Sequence, residues 1–221
     1  MLFQIDPVRP NPREPFQQQV RTLCQKLKDE NGRKYRASVF KLLTITGNQF
    51  LKRGYGRFRE HPESKLFLKQ FGLDVRGLEI MNELDNIYNN SKEIIDDLRG
   101  AVGEVFCLFI SRKKYSNAEI EICVKCDSWT SGTIDVAGCD HETGCCLQSK
   151  CSTLDVSSIV NQHNQLKRIE RYTKGKAKGA FFTYLGMGKF ESNLLSRGIR
   201  LSDLVVFDRT NMAVLEERLA S

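Results

Sequence analysis

The sequence has no apolar run approaching the roughly 20 residues that a helical membrane span requires, and its mean hydropathy is −0.39. Proline is scarce and lopsided. The five residues are Pro7, Pro10, Pro12, Pro15 and Pro62, so the chain beyond position 62 carries no proline to interrupt a helix or a central strand. The first fifteen residues are polar and proline-punctuated and lack the apolar core of a secretory leader. The expectation is a soluble, cytoplasmic protein with no membrane contact. The phosphate-binding loop G-x-x-x-x-G-K-[ST] is missing, so unwinding or translocation would need a separate helicase or ATPase partner. No internal repeat or low-complexity tract occurs. There is a single tryptophan, Trp129, expected to pack at a sheet edge.

What is present is ordinary in bulk and uneven in detail. The chain has 221 residues, 40% hydrophobic and 28% charged, enough for one large domain or a catalytic domain with a helical extension. Its net charge of +7 suits a polyanionic partner. Lys167, Arg168, Arg171, Lys174, Lys176 and Lys178 face only Glu170 between positions 164 and 178, and Lys52, Arg53, Arg57 and Arg59 are interleaved with Tyr55 and Phe58. Glu79, Glu83, Asp85, Glu93, Asp96 and Asp97 make the opposite stretch acidic. A nucleic-acid-facing side accounts for this polarity, with Lys52, Arg53, Arg57, Lys167, Arg171, Lys174, Lys176 and Lys178 as its candidate contacts, although solvated helices carry similar runs.

Of eight cysteines, Cys123, Cys126, Cys139, Cys145, Cys146 and Cys151 crowd one region, with His141 nearby. Structural zinc is disfavoured. Cys123 and Cys126 fall within a predicted strand whose alternation sends them to opposite faces, and no Gly or Pro supplies the tight turn of a zinc knuckle. Reduced thiols serving as small core residues are expected instead.

Along the chain, residues 1–12 read as a flexible arm and 13–90 as a helical subdomain. Phe16, Val20, Leu23, Cys24 and Leu27 follow the helical period, as do Tyr35, Val39, Leu42 and Leu43, with a break predicted at Asn31-Gly32. Ile94, Ile95, Leu98, Val102, Val105, Phe106 and Phe109 form the longest apolar stripe. Gly100 and Gly103 inside that helix each cost about 1 kcal/mol relative to Ala, which predicts close packing against the backbone there. Three strands are predicted next, over 118–126, 132–139 and 144–152, with 127–132 as a turn. Asp155 is placed to cap a following helix that buries Ile159, Leu166 and Ile169, with His163 as a core histidine. A strand over 180–185, a helix around Phe190 and Leu194, a strand over 204–207 and a terminal helix complete the order.

The chemistry concentrates in Thr133-Ile134-Asp135-Val136 and Cys145-Cys146-Leu147-Gln148-Ser149-Lys150. Paired as a hairpin through 140–144, they set Asp135 beside Gln148 and Lys150, which share one strand face. A carboxylate, an amide and an ammonium on an apolar sheet are costly unless used.

Asp135 with Gln148-x-Lys150, after a helix carrying Arg99-Gly100-Ala101-Val102-Gly103-Glu104, resembles the PD-(D/E)XK nuclease superfamily over residues 90–210. The Gln-x-Lys form is most similar to its Mrr-like branch. The resemblance implies an α/β fold, a mixed sheet between helices as in restriction endonucleases, with a nuclease domain over 91–221. It also implies a Mg²⁺-dependent (or Mn²⁺-dependent) endonuclease, acting on DNA rather than RNA, as the effector subunit of an antiviral or restriction system. Asp135, Gln148, the Ser149 carbonyl and Glu104 would hold the metal, and Lys150 would hold the scissile phosphate or activate water. Gln165, on the later helix, is a further candidate near the site. Because Gln148 is neutral, this set carries one charge fewer than the D…ExK pattern. Cutting both strands would favour a homodimer. Two other readings stay open: a non-catalytic nucleic-acid-binding module on the same scaffold, and a zinc-stabilised adaptor.

Overall fold

The structure, a computed structural model, describes residues 2–8, 14–89, 94–126, 128–150, 156–198 and 205–220. Its elements run β1 (Gln4–Pro7), α1 (Glu14–Leu27), α2 (Glu30–Leu42), α3 (Gly47–Lys52), α4 (Pro62–Phe71), α5 (Val75–Asn89) and α6 (Ile95–Ser111). They continue as β2 (Glu119–Cys126), β3 (Trp129–Thr130), β4 (Ile134–Cys139), β5 (Gly144–Lys150), α7 (Val156–Tyr172), β6 (Ala177–Thr183), α8 (Met187–Leu195), β7 (Val206–Asp208) and α9 (Met212–Ala220). This is the expected mixed α/β architecture. One sheet has the order β1-β2-β4-β5-β6-β7, with β3 attached to β2. The pairs through β5 are antiparallel and β5-β6-β7 are parallel. The β4–β5 hairpin closes at 140–144 as predicted. There Asp140 Oδ1 accepts from the Glu142 and Thr143 amides at 2.7 Å.

The sheet separates two apolar layers. One holds Val136, Cys145, Leu147, Ala180, Phe182 and Tyr184 against α6 and the N-terminal helices, and it runs without interruption from Val20 to Leu215. The stretch read as a helical subdomain shares that layer: Phe40 of α2 packs edge-on against Phe106 of α6 and Phe182 of β6. Arg36 knits the ends together. Its buried guanidinium donates to the Leu27 carbonyl at 2.6 Å and pairs with Glu216 of α9 at 3.0 Å. The break between the first helices falls at Asp29, which caps the Gly32 amide, and not at Asn31-Gly32. Gly32 instead lies inside α2, where a Cβ would stand 2.3 Å from the Lys26 carbonyl oxygen. The glycine permits the tight crossing of α1 and α2.

The second layer gathers Ile159, Leu166 and Ile169 of α7 with Ile134, Cys146 and Phe181, and also with Phe3, Ile122, Val124 and Cys126. Strand β2 reaches it by changing faces. Ile120 packs in the first layer and Ile122 in the second, and Glu121 between them has φ 50°. A non-glycine residue in this left-handed region is rare, and here it folds the outer half of β2 back across the α7 side. Strand β1 follows, within the stretch expected to be an arm: Leu2 donates to the Asp140 carbonyl at 3.0 Å, and Phe3 fits against Gly144. The stretch predicted as a turn contains β3, and its return leg from Ser131 to Thr133 runs beside α7. Residue 127 and the Asp155 cap lie outside the described residues.

Candidate active site

Strand β4 reverses faces at Asp135 as β2 does at Glu121: Ile134 belongs to the α7 layer and Val136 to the α6 layer. The described β4–β5 ladder ends at Val136↔Leu147, while β4 stays on β2 through Ile122↔Ile134. The two strands thus fork. Side chains replace the next rung. The Ser149 amide donates to Asp135 Oδ2 at 2.7 Å, and Gln148 Nε2 donates to the Thr133 carbonyl at 3.2 Å. Lys150, Thr183 and Asp208 are level in the parallel register, so the fork lies at the carboxyl ends of β5, β6 and β7. In open α/β sheets that end is where ligands bind.

Helix α6 comes close to β5 at this point. A Cβ on Gly103 would stand 2.1 Å from Ser149 Oγ and 2.6 Å from Tyr184 Oη, which itself donates to the Arg99 carbonyl. The predicted close packing is real at Gly103. It is absent at Gly100, where a Cβ would meet nothing within 4 Å. Glu104, next to Gly103 in the helix, is half-buried. Asp135 and Glu104 share a neighbour in the fully buried Cys107 thiol: burial, then the Asp135 carboxylate, and more weakly Glu104 push its ionisation well above the usual thiol range.

The expected set is divided between two faces. Alternation along β5 puts Ser149 with Leu147 on the α6 side, and Gln148 and Lys150 with Cys146 on the α7 side. Asp135, bonded to the Ser149 amide, sits at the seam. Gln148 is fully buried, and its Oε1 has no hydrogen-bond partner among the described residues. An unpaired amide oxygen in such a place costs about 1–3 kcal/mol. Lys150 is half-buried and makes no ion pair among the described residues, whereas most cations of the N-terminal helices are paired. Gln165 also belongs here: its amide nitrogen would stand 2.8 Å from a Gly132 Cβ, and its Oε1 is buried without a partner among the described residues, as is that of Gln162 one turn earlier. Nothing but a polar position on the helix marks Gln162 in the sequence.

The basic residues fall in two places. Lys52, Arg53 and Arg57 are exposed after α3, whose Gly47 amide donates to Asp96 at the start of α6. Arg171, Lys174, Lys176 and Lys178 are exposed around the turn from α7 to β6, and Lys167 is tied to Glu170 at 3.0 Å. No described contact joins the two places. Cys24, Cys107, Cys126, Cys139, Cys145 and Cys146 are buried thiols, and Cys123 is half-buried. Among the described residues no three His, Cys, Asp or Glu side chains gather as a metal cluster.

No family model matches the chain, and neither does any curated protein. Among solved structures, protein VC1899 from Vibrio cholerae aligns with a TM-score of 0.47 at 11% identity, over 98% of this chain and 57% of that one. Can2 from Sulfobacillus thermosulfidooxidans, solved in complex with cyclic tetra-adenylate, aligns with a TM-score of 0.41 at 15% identity, over 99% of this chain and 58% of that one. The chain spans less than three fifths of the length of either structure. Overlaps this loose carry nothing about activity.

Proposed function

We propose that the fork is the active centre of a metal-dependent nuclease that hydrolyses phosphodiester bonds, with DNA as the favoured substrate. The observation that carries this reading is the end of the β4–β5 ladder, where the Asp135 carboxylate bridges to the Ser149 amide beside the Gln148 oxygen that no described residue pairs. These are hard oxygen donors of the kind Mg²⁺ or Mn²⁺ takes, and the unpaired amide oxygen fits a ligand better than a packing role. Asp135, Gln148, the Ser149 carbonyl and Glu104 are the residues that would hold the ion. When bound, such an ion polarises the phosphate and lowers the pKa of a coordinated water.

The chain's own groups do the rest. Lys150 carries a half-buried positive charge with no ion-pair partner among the described residues, so a phosphate oxygen is its natural partner. The Ser149 amide fixes the Asp135 carboxylate through Oδ2. Glu104 is the residue after Gly103, where α6 approaches β5 most closely. With only two carboxylates, ion affinity is modest and rises when substrate phosphate adds its charge.

The test is cleavage of linear, circular and single-stranded DNA and of RNA, with Mg²⁺, Mn²⁺ or chelator. Asp135→Asn keeps an acceptor for the Ser149 amide while removing the charge, and Lys150→Ala removes the ammonium. Each is expected to lower cleavage at least 100-fold, about 3 kcal/mol of barrier, with the melting temperature unchanged. Full activity in either variant would refute the proposal.

A further inference from the structure

A second feature starts at Gln165 and leads away from the fork along one face of α7. Arg168 and Tyr172 follow at helical spacing, over about 10 Å of axis. Tyr172 stacks on Trp129 of β3, with ring centroids 5.4 Å apart and planes within 8°. The Arg168 guanidinium lies 4.9 Å from the Trp129 ring and 5.9 Å from the Tyr172 ring. Trp129 is half-buried and backed by the α7 layer, while Tyr172 is 38% exposed. Tyr172 also lines an open groove of about 690 Å³ with Lys125, Lys174 and Lys176 and the start of the chain from Leu2 to Gln4. Lys125 is paired with Asp6, but Lys174 and Lys176 are exposed and have no ion pair among the described residues. Lys174 is itself held in the left-handed region at φ 51°, followed by Gly175 at φ 77°, so the turn fixes the two cations on either side of the glycine.

We infer that this face is a stacking platform for single-stranded nucleic acid, with Tyr172 receiving a base and Lys174 and Lys176 the adjoining phosphates. A rigid, backed aromatic ring beside unpaired cations matches the two chemistries of an unpaired strand, a base with a free π-face and a charged backbone. A duplex offers no unstacked base to the ring. As the route by which substrate reaches the fork, the platform rests on the nuclease reading. As a binding surface it is testable without catalysis.

The experiment measures fluorescence anisotropy of short labelled oligo(dT), oligo(rU) and duplex DNA, in chelator, over a salt series, with the full chain. Tyr172→Ala is expected to weaken single-strand binding about tenfold and Tyr172→Phe to leave it intact, since loss of one stacked base is worth about 1–3 kcal/mol. Lys174→Ala with Lys176→Ala should flatten the salt slope by about 1.4. The tighter of the two strands identifies DNA or RNA as the ligand. Equal binding by wild type and Tyr172→Ala, with both melting alike, overturns the inference, as does a duplex bound as tightly as the single strands. Strand binding through Tyr172 with no cleavage in Mg²⁺ or Mn²⁺ upholds the platform and removes the nuclease. Cleavage with binding indifferent to Tyr172 does the reverse.

Discussion

Gly100 and Gly103 look alike in the sequence, two glycines in one apolar helix, yet their surroundings give them opposite roles. At Gly103 a methyl group would press on the buried Tyr184 ring, 2.8 Å from Cε1, and that ring is anchored through its hydroxyl to the Arg99 carbonyl. The Ser149 hydroxyl can rotate aside, but the ring cannot. Gly103→Ala is therefore expected to lower stability by about 1–3 kcal/mol, outweighing the gain of about 1 kcal/mol in helix propensity. Gly100→Ala meets open space and is expected to stabilise by up to about 1 kcal/mol. Urea midpoints of the two variants decide this, and a Gly103→Ala protein as stable as the parent would mean that α6 does not sit on Ser149. The same scale separates Gln148 from the buried polar residues at the ends of β6 and β7. Thr183 gives its oxygen to the Leu185 amide and Asp208 gives both of its oxygens to backbone amides, whereas Gln148 Oε1 is left over.

At the scale of elements, α9 is tied to the helical layer by charge. Glu216 accepts from Arg33 and Arg36 at 3.0 Å and from Lys113 at 3.1 Å. Burial by itself would raise its pKa, but the three cations outweigh that and hold it below the usual glutamate range. Asp208, at the end of β7, is alike in direction: burial opposes, and hydrogen bonds from Thr210, Met187 and Asn211 prevail. Both groups bind protons less readily folded than unfolded. Their contribution is complete above the unfolded values of about 4 and drains as pH falls through the lower folded values. Glu216→Gln should therefore have a lower urea midpoint than the parent at pH 6, and the gap should narrow toward pH 3. A gap that widens on acidification would contradict the assignment. Strand β2 shows the limit of reading elements one at a time. Its length is close to that predicted, but its change of face at Glu121 is announced by no glycine or proline.

For the whole molecule, the continuous layer from Val20 to Leu215 makes the N-terminal helices part of the fold and not an appendage. A chain starting at residue 91 exposes Phe106, Phe182 and Tyr184, which Phe40 covers in the full protein. It is expected to be insoluble or to lose its near-ultraviolet dichroism, while the full chain melts in a single transition. A soluble fragment with sharp cooperative melting would restore the two-part division that composition suggests.

Period and punctuation were enough to place most helices and strands and the β4–β5 hairpin, because apolar spacing and turn residues are local properties of the chain. That Asp135 lies near the strand bearing Gln148 and Lys150 was legible for the same reason, since a short turn joins the two strands. The sequence could not say that Gln148 and Lys150 face α7 while Glu104 lies on the α6 side, or that Asp135 sits at the seam where β4 leaves β5. It could not say that Trp129 would back Tyr172 either. Those outcomes depend on how β2 bends at Glu121 and on which residues the folded-back strands bury, and contacts between segments distant in the chain settle both.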